Sequence, residues 1–336
     1  MEHPRWIRRV LVGLLAGMMI VAGCSRNEEP PVTNTDPPPV EQPPEEPEDA
    51  VPPEEVLAEE WDMLKEEATE AGELIAFLDA RLVEAPDELA DQMIRDTFAF
   101  YEQDLSYSQE QFFSQDLQSV LAGIHLPLTE ASVDEVQDET VRELIRSKLV
   151  GNYKFITSEG AFFPIVDYGA FRRYADHLSY DLTAYINLKA MESDKISASD
   201  GGLIIGWDEL ALRLLTAEDY LHLYPNSPEA DEVRDIYLND YLQKYMYGLN
   251  NTPNYDAETL QVTDDAEASY QATAEEHAGT VTGQLAQGFL DVLEETEGQI
   301  FTGSYTEPTE VPEVKAYRDN LESTFDRLMR QQGEIS

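Results

Sequence analysis

The chain has 336 residues, with 68 acidic side chains against 22 lysines and arginines and a net charge of −46. Such a surface repels phosphate, which excludes nucleic acid binding and sets the body against anionic lipid headgroups. Apolar residues still make up 42% of the chain, with 17 Tyr and 12 Phe, so a packed core is available.

The first nine residues carry Arg5, Arg8 and Arg9 against a single acid, Glu2. Val10 to Ala22 follow without a charge and run into the small residue Gly23. A basic start, a short apolar run and a small-residue end describe an export signal. The run falls short of the ~20 residues that a spanning helix needs. The only cysteine, Cys24, comes next, in Val21-Ala22-Gly23-Cys24. That end resembles the lipobox of bacterial lipoproteins. The resemblance implies cleavage before Cys24, a diacylglycerol on its thiol and, often, a fatty acyl chain such as palmitate on the new amino terminus. Two or more acyl chains anchor a protein stably. The expected location is therefore the outer face of the cytoplasmic membrane, or the outer membrane in a cell that has one. With no second cysteine, an intramolecular disulfide is impossible.

Residues 25–54 hold ten of the 19 prolines together with many acids. This composition cannot bury enough apolar surface to fold. As an extended, self-repelling spacer at ~3.1 Å per residue it reaches on the order of 90 Å. The organisation expected is a signal over 1–23, the lipidated Cys24 with its linker over 24–54, a helical bundle over 55–152, and a β-hairpin with a helical region over 153–336.

The bundle opens on a long helix from Glu55 to Leu82. Leu57, Trp61, Leu64, Ala68, Ala71, Ile75, Leu78 and Leu82 alternate spacings of four and three, a heptad seam. The seam fits either an intramolecular bundle or a dimeric coiled coil. Pro86 marks a break, and a second helix carries Leu89, Ile94, Phe98 and Tyr101. Ser108-x-x-Gln111 and Ser132-x-x-Glu135 read as capping boxes that open a third helix (109–121) and a fourth. The aromatic and β-branched residues of 153–166 flank Ser158-Glu159-Gly160 and predict a short β-hairpin. Helical pattern returns over 167–192 with a break near Ser179, and the stretch "SASDGG" reads as a glycine-rich loop.

From Trp207 the chain predicts one helix to Leu223, a turn at "YPNSP" and a second helix to Gly248. This stretch resembles the helical hairpins of tetratricopeptide-like bacterial lipoproteins, which implies protein partners. A fainter copy follows, with Thr280, Gly283, Ala286 and Phe289 matching Ser227, Ala230, Val233 and Ile236. Repeat arrays need about three units, so two irregular hairpins on a bundle are expected, closed by a last helix over 312–329. The fold class predicted is mainly α, a helical bundle with tetratricopeptide-like hairpins and one short β-hairpin near 153–166.

Motifs for chemistry are scarce. His125, His177, His222 and His277 are far apart in sequence and none belongs to H-E-x-x-H, so neither a metal nor another cofactor is expected. There is no G-x-S-x-G elbow, P-loop or G-x-G-x-x-G. Glu159 and Asp167, flanking the hairpin, are the one carboxylate pair worth naming for glycoside chemistry. A turn acid and a helix cap explain them more simply. Tyr237, Tyr241 and Tyr245 recur every four residues on one helix face and form a candidate surface for glycan or peptide. Core packing is the competing explanation for this stripe. The function expected is a lipid-anchored binding or scaffold protein without catalytic activity, engaging a protein or glycan of the cell envelope. A transporter's solute-binding lipoprotein and an envelope enzyme with paired carboxylates are the alternatives.

Overall fold

The computed structural model describes residues 52–333 except 129 and 305. The signal, Cys24 and nearly all of the linker lie outside the described residues. Helix α1 (Pro53–Glu67) and helix α2 (Ala71–Arg81) divide the long helix expected over 55–82. Ala68 turns extended, and the Glu73 carboxylate accepts hydrogen bonds from Thr69 N (2.9 Å) and Glu70 N (3.1 Å), capping a new start. The seam survives this kink. Leu57, Trp61, Ala71, Ile75, Leu78 and Leu82 are all buried within the one chain, so they need no partner helix.

Helix α3 (Asp87–Glu110) runs through the start expected at Ser108, whose hydroxyl instead donates to Asp104 one turn back, at 2.5 Å. Ser114 caps α4 (Gln115–Leu121). A short α5 (Glu130–Asp134) takes the place of the helix announced at Ser132. The longer α6 (Glu139–Val150) begins at Asp138, whose carboxylate accepts from Thr140 N and Val141 N.

Strands β1 (Tyr153–Ser158) and β2 (Ala161–Val166) pair in register Tyr153↔Val166, as the aromatic pattern predicts. Glu159 and Gly160 both adopt positive φ, 50° and 75°, the tight turn that suits a two-residue hairpin. A 3₁₀ helix (Tyr168–His177) leads to α7 (Tyr180–Asp194), which Ser179 caps at the expected break.

The "SASDGG" loop is a second hairpin, β3 (Ala198–Ser199) with β4 (Gly202–Leu203), its turn formed by Asp200 and Gly201. Helix α8 (Trp207–Leu223) matches expectation. The next helix is α9 (Ala230–Asp235), a π turn (Ile236–Tyr241) and α10 (Leu242–Tyr247) in unbroken succession. A third hairpin pairs β5 (Gly248–Leu249) with β6 (Thr252–Pro253). Helices α11 (Asp264–Glu276) and α12 (Val281–Glu295) form the second helical hairpin. A fourth β-hairpin, β7 (Phe301–Ser304) and β8 (Glu307–Glu310), precedes α13 (Pro312–Asp319) and α14 (Leu321–Gly333). The fold is mainly α, with fourteen helices and four two-stranded hairpins among the described residues, where one hairpin was expected.

The first three hairpins lie tip to tip. Asp200 accepts from Glu159 N at 2.5 Å and Ser158 Oγ at 3.2 Å, while Asn251 N donates to the Gly201 carbonyl at 2.9 Å. One large core runs from Leu57 to Leu328, and the described residues from 52 on form a single compact unit. A smaller core gathers Phe112, Leu117, Leu121, Val133, Val136, Val141, Ile145 and Phe155.

Gly283 shows how closely the α11–α12 turn is built. A Cβ there would lie 2.0 Å from the His277 carbonyl oxygen, a backbone atom that cannot swing aside. Gly283→Ala is expected to cost about 1–3 kcal/mol, the range for overpacking. Gly279→Ala, four residues away and meeting nothing within 4 Å, is the control in the same thermal melt. An unchanged melting point for the Gly283 variant would disprove the contact.

Candidate functional site

Tyr237, Tyr241 and Tyr245 do not form a surface. They are 0%, 1% and 0% exposed, and each hydroxyl reaches a different neighbour. Thr282 Oγ1 donates its only proton to Glu218 Oε2 at 2.6 Å, so the 2.9 Å contact with Tyr237 must have the tyrosine as donor. Tyr245 Oη meets Thr273 at 2.9 Å and Ser269 at 3.2 Å on α11. Tyr241 Oη points to Glu192 on α7 at 3.5 Å, with the Arg213 guanidinium 5.8 Å from its ring. The four-residue spacing thus tacks the π-containing helix to α12, α7 and α11. Burial raises all three phenol pKa values, and Tyr245 is held to about 12 because Ser269 and Thr273 hydrogen-bond it.

The structure gives Glu159 and Asp167 different surroundings. Glu159 occupies the exposed hairpin turn, and Asp167 pairs with Lys154 at 3.0 Å at the start of the 3₁₀ helix. No His, Cys, Asp and Glu group among the described residues could hold a metal ion. No described helix is long and apolar enough to cross a membrane.

A groove of about 330 Å³ opens where α3, the first hairpin, α7 and the π turn converge. Leu105 of α3, Ile165 and Val166 of β2, and Leu188 of α7 line it with Ile196 and Ile236. Tyr168 and Tyr241 add ring surface, and Lys189, Glu192, Ser193 and Asp240 supply the polar contacts. The π turn contributes Ile236, Asp240 and Tyr241, and such wide turns recur at functional sites because they displace side chains from regular α positions. Of the stripe, Tyr241 alone lines the groove, through the small edge it leaves exposed.

The charges around the groove form pairs. Lys189 Nζ reaches Glu232 at 2.6 Å and lies 5.0 Å from the Tyr168 ring. Burial lowers the Lys189 pKa, but Tyr168 and Glu232 more than offset this, and the net shift is upward. Glu192 Oε1 accepts from Ser197 N and Oγ, at 2.8 and 3.0 Å, and its Oε2 pairs with Arg213. Asp240 Oδ1 pairs with Lys244, which also donates to Ser197 Oγ at 2.7 Å.

No family model, curated protein or solved structure matches this chain. The groove therefore has to be judged on its own chemistry. A depression of about 500 Å³ beside α11 and α12 is larger, but it is edged by Asp264, Glu267, Glu294 and Glu297 and has little apolar wall. The groove combines apolar walls with a few convergent polar groups, the usual character of a binding pocket. Sequence reasoning missed it apart from Tyr241, since its walls come from four stretches far apart in sequence. The one available signal was the aromatic hairpin beside the tyrosine-rich helix.

Proposed function

We propose that the chain is an exported lipoprotein, anchored through Cys24, whose helical body binds a protein partner in the cell envelope at this groove. It acts by binding and not by catalysis. The observation that carries the reading is the apolar groove beside the π turn, whose walls are joined by a few convergent polar groups.

Anchor and groove are tested separately. Cys24→Ala is expected to abolish lipid labelling and move the protein wholly from the membrane to the soluble fraction. Continued membrane retention would overturn the anchor. A photocrosslinking side chain at Leu105, in the groove wall, is expected to trap a discrete adduct in intact cells. The same group at the exposed Tyr180 is expected to trap none. Identical adducts at both positions, or none at Leu105, would overturn the groove as the binding site.

A further inference from the structure

We propose that the groove accepts a lysine side chain from a basic segment of the protein partner, with the stem on its apolar wall and the ammonium at Asp240. This rests on the groove being the binding site. The cations around the groove are already committed. Lys189 is held by Glu232, and Lys244 by Asp240 and Ser197. Arg213 is held by Glu192, Glu209 and the Lys195 carbonyl. An anionic ligand would have to compete with a carboxylate for every one of these cations.

The carboxylates differ. Glu192 uses both oxygens, on Ser197 and on Arg213 with Tyr241. Asp240 uses Oδ1 for Lys244, and among the described residues its Oδ2 accepts no hydrogen bond. Asp240 lines the groove, and its side chain is 41% exposed. A cation entering the groove therefore meets an acceptor without displacing an existing bond. A single free oxygen suits the point charge of an ammonium better than the two-pronged guanidinium of arginine. Lysine also carries a four-carbon stem that packs on apolar surface while its head stays polar, which matches Ile236, Ile196 and Leu188 beside Asp240. A chain charge of −46 draws basic segments toward the body and repels acidic ones.

The test uses the full lipidated chain in detergent and four short alanine-based peptides that differ only at the central residue: lysine, arginine, norleucine or glutamate. Calorimetric titration is expected to show the lysine peptide binding about five- to tenfold more tightly than the uncharged norleucine peptide. The arginine peptide is expected to fall between these two, and the glutamate peptide to give no heat. Asp240→Asn should remove the lysine preference while leaving norleucine binding unchanged, with a melt lowered only by the loss of one partly exposed ion pair to Lys244. Ile196→Trp, at a half-buried wall residue, should fill the groove and weaken every peptide. Equal binding of lysine and norleucine, or a lysine preference that survives Asp240→Asn, would overturn the lysine assignment and leave the groove standing. No binding by any peptide, or binding indifferent to Ile196→Trp, would overturn both.

Discussion

Replacing Arg213 by methionine is expected to destabilise the protein by about 2–4 kcal/mol, somewhat less than breaking a fully buried ion pair from one side because both carboxylate partners keep about a third of their side chains in water. The guanidinium is 1% exposed and holds three acceptors, pairing with Glu192 and donating to the Lys195 carbonyl at 2.6 Å and to Glu209 at 3.1 Å. Methionine keeps the stem volume but leaves the Lys195 carbonyl without that donor and Glu192 without its cation. Arg213→Lys keeps the charge with fewer donors and should recover part of the loss in urea denaturation. Glu209 adds a pH signature. Hydrogen bonding to Lys195 leads the effects that lower its pKa below the usual 4.5, with Arg213 contributing against the cost of burial. A lowered folded-state pKa contributes stability above the unfolded value and loses it as pH falls through the folded one. The gap between wild type and Arg213→Met should therefore narrow on acidification below about pH 4.5. A constant gap would show that the guanidinium contributes only packing.

Glu218→Ala is expected to be comparably severe, at about 3–4 kcal/mol, since it leaves buried donors without partners. The carboxylate is 2% exposed on α8 and caps the first turn of α12. It accepts from Val281 N at 2.5 Å, Thr282 N at 2.7 Å and Thr282 Oγ1 at 2.6 Å. A helix N-terminus carries partial positive charge, which makes an anion the favourable cap there. Removing it leaves two backbone N–H groups orphaned and frees the Thr282 hydroxyl that Tyr237 contacts. Glu218→Gln retains one carbonyl oxygen and should recover part of the loss. Amide exchange at Val281 and Thr282 is the local readout, and unchanged protection in Glu218→Ala would disprove the cap.

The sequence made the helical class, the first β-hairpin, the Ser179 break and α8 legible, because each is dictated by residues close together. Aromatic alternation around Glu159-Gly160 is enough for a hairpin, and a serine before a periodic stretch is enough for a helix start. Errors arose where a local signal was duplicated or overridden. Ser108 and Ser132 each precede a glutamine or glutamate by three, but Ser108 bonds Asp104 within a longer helix, and Asp138 opens α6 beyond Ser132. The heptad seam passes through Ala68 without interruption, so spacing alone could not reveal the kink that Glu73 caps. Asp200-Gly201 is a hairpin turn flanked by strands of only two residues, too short for alternation to register. The groove was less legible than the fold. Tyr241 was singled out for its spacing, but its value depends on α3, β2 and α7 meeting beside it, and that is decided by long-range packing.

The first hairpin belongs to both cores. Tyr153 and Val166 at its base sit in the large one, while Phe155, two residues along, sits in the small one. Its two strands therefore stitch the small core to the large one. Phe155 packs on Phe112, with rings 5.0 Å apart, on the same strand pair that supplies Ile165 and Val166 to the groove wall. Helices α4 to α6 contribute no residue to the groove, yet the hairpin they pack against forms part of its wall.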